Sequence, residues 1–148
     1  MISSNVFEEY HAHLDFKKVI ETQSCYIALS SNDIVVMIDK PVVKTIENEL
    51  ETIKKFNEIS NGKVLPCIYD PSKMKGMEKG VRKLTKNHVN KMLSHVAIIN
   101  PSPTFNVILA FLLKVDRVKI KHKAFHKIGK AVQWVNLHKV QKRQQQKA

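Results

Sequence analysis

Arg117, Lys119, Lys121 and Lys123 alternate with Val118, Ile120 and His122 near the C-terminal end of this chain. Alternate residues of a strand point the same way about 6.6 to 6.8 Å apart, so the four cations predict a line of positive charge roughly 20 Å long. The chemistry of such a line is recognition of a polyanion. Arg82, Lys83 and Lys86 fall on the wet side of a predicted helix, and Lys127 and Lys130 belong to the last one; together with the four they make up the candidate anionic-partner surface, which Lys139, Lys142 and Arg143 extend. A reading without a ligand is that lysines keep an exposed edge strand from pairing with other chains. Tyr69, Phe105, Phe111, Phe125 and Trp134 all read as core, so no aromatics interleave with the cations, and phosphate contact is expected in place of base reading.

Other reactive residue types are sparse in useful patterns. Ser72, in Tyr69-Asp70-Pro71-Ser72-Lys73-Met74, is a candidate phosphoacceptor whose added charge Lys73, Lys75 and nearby helix amides would stabilise. The alternative is a plain turn through Asp70-Pro71-Ser72. His11 and His13 are two apart, His122 and His126 are four apart, and His88 lies on the apolar side of its helix. A zinc site wants three or four converging ligands at suitable spacing, and neither pair supplies that pattern, so no metal is expected. Gly76 and Gly80 are not followed by Lys-Ser or Lys-Thr, no Gly-x-Ser-x-Gly occurs, and Glu47, Glu49 and Glu51 fit the wet face of a helix. The expectation is a protein that is not an enzyme and carries no cofactor.

Charge is unevenly distributed along the 148 residues. The first 60 hold 6 basic and 10 acidic residues, whereas the remaining 88 hold 19 basic residues and only Asp70, Glu78 and Asp116 as acids, so the net +12 is regional. With 43% hydrophobic and 26% charged residues the composition is that of a globular domain large enough for one core. Cys25 and Cys67 sit among apolar neighbours and read as reduced core thiols. Met1 to Tyr10 has Glu8 and Glu9 and lacks the basic and apolar regions of a leader, and the longest apolar stretch, Val107 to Leu113, is far below the roughly 20 residues that span a bilayer. A cytoplasmic location is expected.

These residues must be positioned by a regular alternation of elements. Phe7, Tyr10, Leu14 and Phe16 predict a short helix laid against the domain. Val19 to Leu29, the turn formers 30–33 and Ile34 to Ile38 predict a hairpin. Pro41 opens a helix whose apolar face is Val43, Ile46, Leu50, Ile53 and Phe56 and which Asn61-Gly62 stops. Val64 to Tyr69 is a strand in which Pro66 requires an edge or a bulge. After a loop from Asp70 to Gly80, Val81, Leu84, Val89 and Met92 line a helix, Val96 to Ile99 is a buried strand, and Phe105 to Val115 is a helix apolar on nearly every side. The last is a core helix, covers a small apolar ligand pocket, or forms a homodimer contact through Phe105, Leu109 and Leu112. A closing helix packs Phe125, Ile128, Val132 and Val135 inward. The domain division is an N-terminal extension at 1–17, one domain at 18–140 and a frayed polar tail at 141–148. The order predicts an α/β sandwich of two or three layers with an N-terminal β-hairpin and a mostly parallel mixed sheet.

From about Cys25 to Lys139 this order resembles the SpoIIAA-like proteins of the STAS superfamily, in the bacterial branch that begins with a hairpin. The resemblance rests on the helix ending at Asn61-Gly62, the Tyr69-Asp70 strand end, Ala97-Ile98-Ile99-Asn100 followed by Pro103 and the apolar helix, and the closing Phe125 with Ala131, Val132 and Trp134. It implies a regulatory or protein-interaction module without catalysis. In STAS regulators a serine after the Asp-bearing strand takes phosphate from a kinase; Ser72 is at the matching place, but the usual Ser-Ser-Gly run is absent. Two further partners fit the basic half, namely nucleic acid bound without sequence preference and an anionic membrane surface.

Overall fold

The computed structural model describes residues 4–147, with side chains described for 6–139. After a 3-10 helix (Ser4–Tyr10), β1 (Phe16–Glu21), β2 (Cys25–Ser30) and β3 (Val35–Asp39) form an antiparallel meander. The hairpin expected from Val19 to Ile38 is therefore three strands. Thr22 divides the first run, because its side-chain oxygen accepts from the N–H groups of Ser24 and Cys25 and turns the chain.

The remaining elements are β4 (Val43–Lys44), α1 (Ile46–Ser60), β5 (Leu65–Asp70), β6 (Gly76–Met77), α2 (Val81–Met92), β7 (Leu93–Ile99), α3 (Pro103–Lys114), β8 (Lys121–Phe125) and α4 (Ile128–Lys147). The main sheet has the order β1-β2-β3-β5-β7-β8, parallel from β3 to β8, while β4 and β6 pair as a separate two-stranded ribbon. Pro66 lies in a central strand. The β5–β7 register shifts between Leu65 and Cys67, so the missing proline N–H is accommodated by a bulge, not by an edge position.

Strand alternation sorts the core into two faces. Val36, Ile38, Ile68, Ala97 and Ile99 pack under α4 and the N-terminal segment, which contributes buried Phe7, Tyr10 and Leu14. Val35, Met37, Cys67, Val96 and Ile98 face the opposite layer of α1, α2 and α3. The result is a three-layer α/β/α sandwich. Residues 4–14 supply part of that core, and α4 continues as helix through 141–147, where a frayed tail was expected; Ala148 lies outside the described residues.

Pro41 does not open α1. The helix begins at Ile46, with Thr45 as its cap accepting from the Asn48 N–H at 3.1 Å, because Val43 and Lys44 are drawn into the ribbon with β6. This shift rotates the first turns of α1. Val43, Ile46 and Leu50 are exposed, and the buried stripe runs through Thr52, Ile53, Phe56 and Ile59. At the far end Asn61 (φ 53°) and Gly62 (φ 73°) both occupy the left-handed region that closes the helix.

Candidate functional site

The basic row lies along the outer strand of the sheet. Only Lys121 and Lys123 are within β8, because Arg117 (φ 56°) closes the C-terminus of α3, with the Val118 N–H donating to the Leu112 carbonyl. Alternation nevertheless persists. Arg117, Lys119, Lys121 and Lys123 are exposed, while Val118 is buried and Ile120 and His122 are half-buried. The row bends at Arg117 and is not a straight strand over its full length.

The other proposed cations lie on helices of both layers. Lys83 and Lys86 are exposed on α2 in one helical layer, and Lys127 and Lys130 are exposed at the start of α4 in the other. Arg82 is engaged within the fold: its guanidinium donates to both carboxylate oxygens of Asp116 (2.8 and 3.2 Å) and lies 4.6 Å from the centre of the Phe111 ring. Asp116 is held below its usual carboxylate value by that hydrogen bond. Phe111 is 44% exposed and so is not core as expected, but the Arg82 stack occupies its ring face. Lys123 in turn lies over the Phe125 ring.

Ser72 is exposed in a turn in which its N–H donates to Asp70 Oδ1 at 2.9 Å. The next helix, α2, starts only at Val81, so no helix terminus stands at Ser72. Four of the candidate histidines have partners within the protein: the His88 Nδ1 bonds the Leu84 carbonyl, the His122 Nδ1 bonds the Ile120 carbonyl, His126 meets Asn100, and His11 packs edge-on to Phe16, while His13 is exposed. Phe105 and Leu112 are buried and Leu109 lines a cavity, so the residues suggested for a homodimer contact face inward, while Val107, Phe111 and the capping Val115 are exposed.

Beneath α1, α2 and α3 lies an almost wholly apolar cavity of about 150 Å³. At one end it meets a buried polar cluster that the sequence reading did not single out. Lys44 Nζ is 2.9 Å from Asp39 Oδ1 and donates to the Tyr69 hydroxyl at 3.1 Å, and that hydroxyl donates in turn to Asp39 Oδ2. The Asp39 and Lys44 side chains are 0% and 6% exposed. Burial pushes the Tyr69 hydroxyl well above its usual value, which keeps it a proton donor to Asp39. Burial opposes the Lys44 charge, yet Tyr69, Asp39 and Glu49 hold its ammonium well above its usual value. Glu49, expected on a wet face, instead lines the cavity, and burial raises its carboxyl. Cys25 and Cys67 are free and buried, and burial pushes both thiols up, away from a reactive thiolate.

One signal for the cluster was available. Asp39 ends the run Val35, Met37, Asp39, and period two places it on the same face as those inward side chains. Lys44 carried no such signal, since a lysine next to Pro41 and two valines reads as exposed. Buried His95, whose Nε2 bonds the Val135 carbonyl at 3.0 Å and whose ring packs against Trp134, was likewise unmarked in the sequence.

Residues 27–139 match the family described as a domain of unknown function (DUF7793). No curated protein matches the sequence. Among solved structures, an uncharacterized protein from the DUF3478 family with a SpoIIAA-like fold, from Shewanella loihica PV-4, superposes with a TM-score of 0.51 at 16% identity, over 80% of this chain and 90% of that one. No helix among the described residues is long and apolar enough to cross a membrane.

Proposed function

The chain belongs to the DUF7793 family and has a SpoIIAA-like fold, and from that premise we propose that it is a non-catalytic regulatory module of STAS type, which binds an acidic protein partner through the basic edge of its sheet. The observation that supports this reading is the exposed row of Arg117, Lys119, Lys121 and Lys123 that leads into and along β8, the strand that ends the sheet, beside an Asp116 already engaged by Arg82. A row of this kind raises the encounter rate with an acidic surface and fixes its orientation, while its rim-exposed charges make binding sensitive to salt. The buried thiols are in keeping with action in the cytoplasm.

A second reading, nucleic acid, is favoured by one feature. Exposed Lys83 and Lys86 on α2 and exposed Lys127 and Lys130 on α4 add positive charge in both helical layers, and phosphates would complement it. Affinity capture from nuclease-treated lysate, at low and at moderate salt, tests the first reading. The wild type should recover a defined acidic protein, and Lys119→Glu/Lys121→Glu should lose it. Equal recovery by that variant overturns the role of the edge, and capture that vanishes with nuclease treatment replaces the protein partner with nucleic acid.

A further inference from the structure

The cavity under α3 has no role in the edge-binding reading, and its size and lining are specific. It is walled by Met37 and Val96 of the sheet, Val89 of α2, and Leu109 and Leu112 of α3. A tightly packed interior rarely leaves so large a space. A cavity of about 150 Å³ lined by aliphatic and aromatic side chains stays dry and binds benzene-sized molecules in an engineered protein. The chemistry at its polar end narrows the class of occupant further. Lys44 and Tyr69 are engaged with Asp39, and Thr85, His88 and His122 bond backbone carbonyls, so apart from Glu49 the surface offered to an occupant is apolar. A carboxylate entering that end would meet Glu49, and an ammonium would meet Lys44. Either would also be desolvated, and the one carboxyl in the lining, Glu49, already faces the Lys44 ammonium.

We propose that this cavity is a binding site for a small uncharged apolar molecule of aromatic or branched aliphatic type. Val118, Ile120 and His122, between the cations of the basic row, line the cavity, but the proposal does not rest on those cations, so its failure leaves the edge reading untouched. Saturation-transfer NMR on the full chain, with toluene as the probe and benzoate and benzylamine as charged counterparts, tests it. Toluene should show saturable transfer, with the two charged molecules binding at least about tenfold more weakly, a ratio equivalent to about 1.4 kcal/mol. Leu109→Trp, which fills the space, should abolish toluene binding; if that variant does not fold, Val89→Phe is read in its place. Absence of saturable binding to the folded wild type overturns the proposal. So does benzoate or benzylamine binding as tightly as toluene, or toluene binding that survives the filled cavity.

Discussion

Asp39 and Lys44 form an ion pair with almost no exposure, and such pairs are most sensitive to loss of a single partner. Asp39→Ala leaves the buried Lys44 ammonium without its ion-pair partner, with the Tyr69 hydroxyl and the Glu49 carboxyl as its remaining polar neighbours. The expected cost is about 3 to 5 kcal/mol, measured as a lowered urea midpoint at unchanged slope, and a loss below about 1 kcal/mol would show that water reaches the pair. Glu49 acts in the opposite sense. Its carboxyl is raised from the ordinary 4.5, so the folded protein holds a proton that the unfolded chain releases. The stability it contributes is complete below the ordinary carboxyl range and is lost as pH rises through the raised value. Thermal midpoints across pH should therefore lose one falling component in Glu49→Gln, and a variant whose profile parallels the wild type would place Glu49 in solvent. At this scale the sequence was only partly legible. The period of Val35, Met37 and Asp39 turns the aspartate inward, but its partners are 5 and 30 residues away and meet it only when the ribbon and the sheet have formed.

α1 shows what pattern reading captures in an element and what it misses. Ile53 and Phe56 face the core as their spacing requires, because the second half of the helix lies against β2 and β3. Ile46 and Leu50 do not, because the β4–β6 pairing fixes the entry of the helix, and a two-residue strand leaves no periodic signal. Thr45 is the hinge of that entry. Thr45→Ala removes the side-chain acceptor of the Asn48 N–H and should cost about 1 kcal/mol, read from chemical denaturation; no change would mean the cap is replaced by water. β8 offers a related lesson. Alternation from Arg117 to Lys123 correctly separated outward cations from inward apolar groups, yet the ladder itself covers 121–125, since the close of α3 takes up Arg117 and Val118. The strand order, with three antiparallel and then parallel strands, follows from the succession of elements, while the N-terminal segment proved part of the core through Phe7, Tyr10 and Leu14.

Across the whole molecule, charge and hydrophobicity are segregated in three dimensions as they are along the chain. The acidic first 60 residues build the meander and α1, while the basic remainder supplies the far edge and the helices flanking it. The central claim is that this edge meets an anionic partner. Its most direct test is fluorescence anisotropy of a labelled polyglutamate peptide and a labelled DNA duplex, titrated with the full chain across a salt series, for the wild type and Lys119→Glu/Lys121→Glu. The wild type should bind at least the peptide with an affinity that falls steadily with salt, and the variant should weaken binding and flatten the slope of log affinity against log salt by about one for each lost contact. Equal affinities and slopes for the two proteins, or no binding of either ligand at low salt, would contradict the account and leave the lysines as guards of a sheet edge.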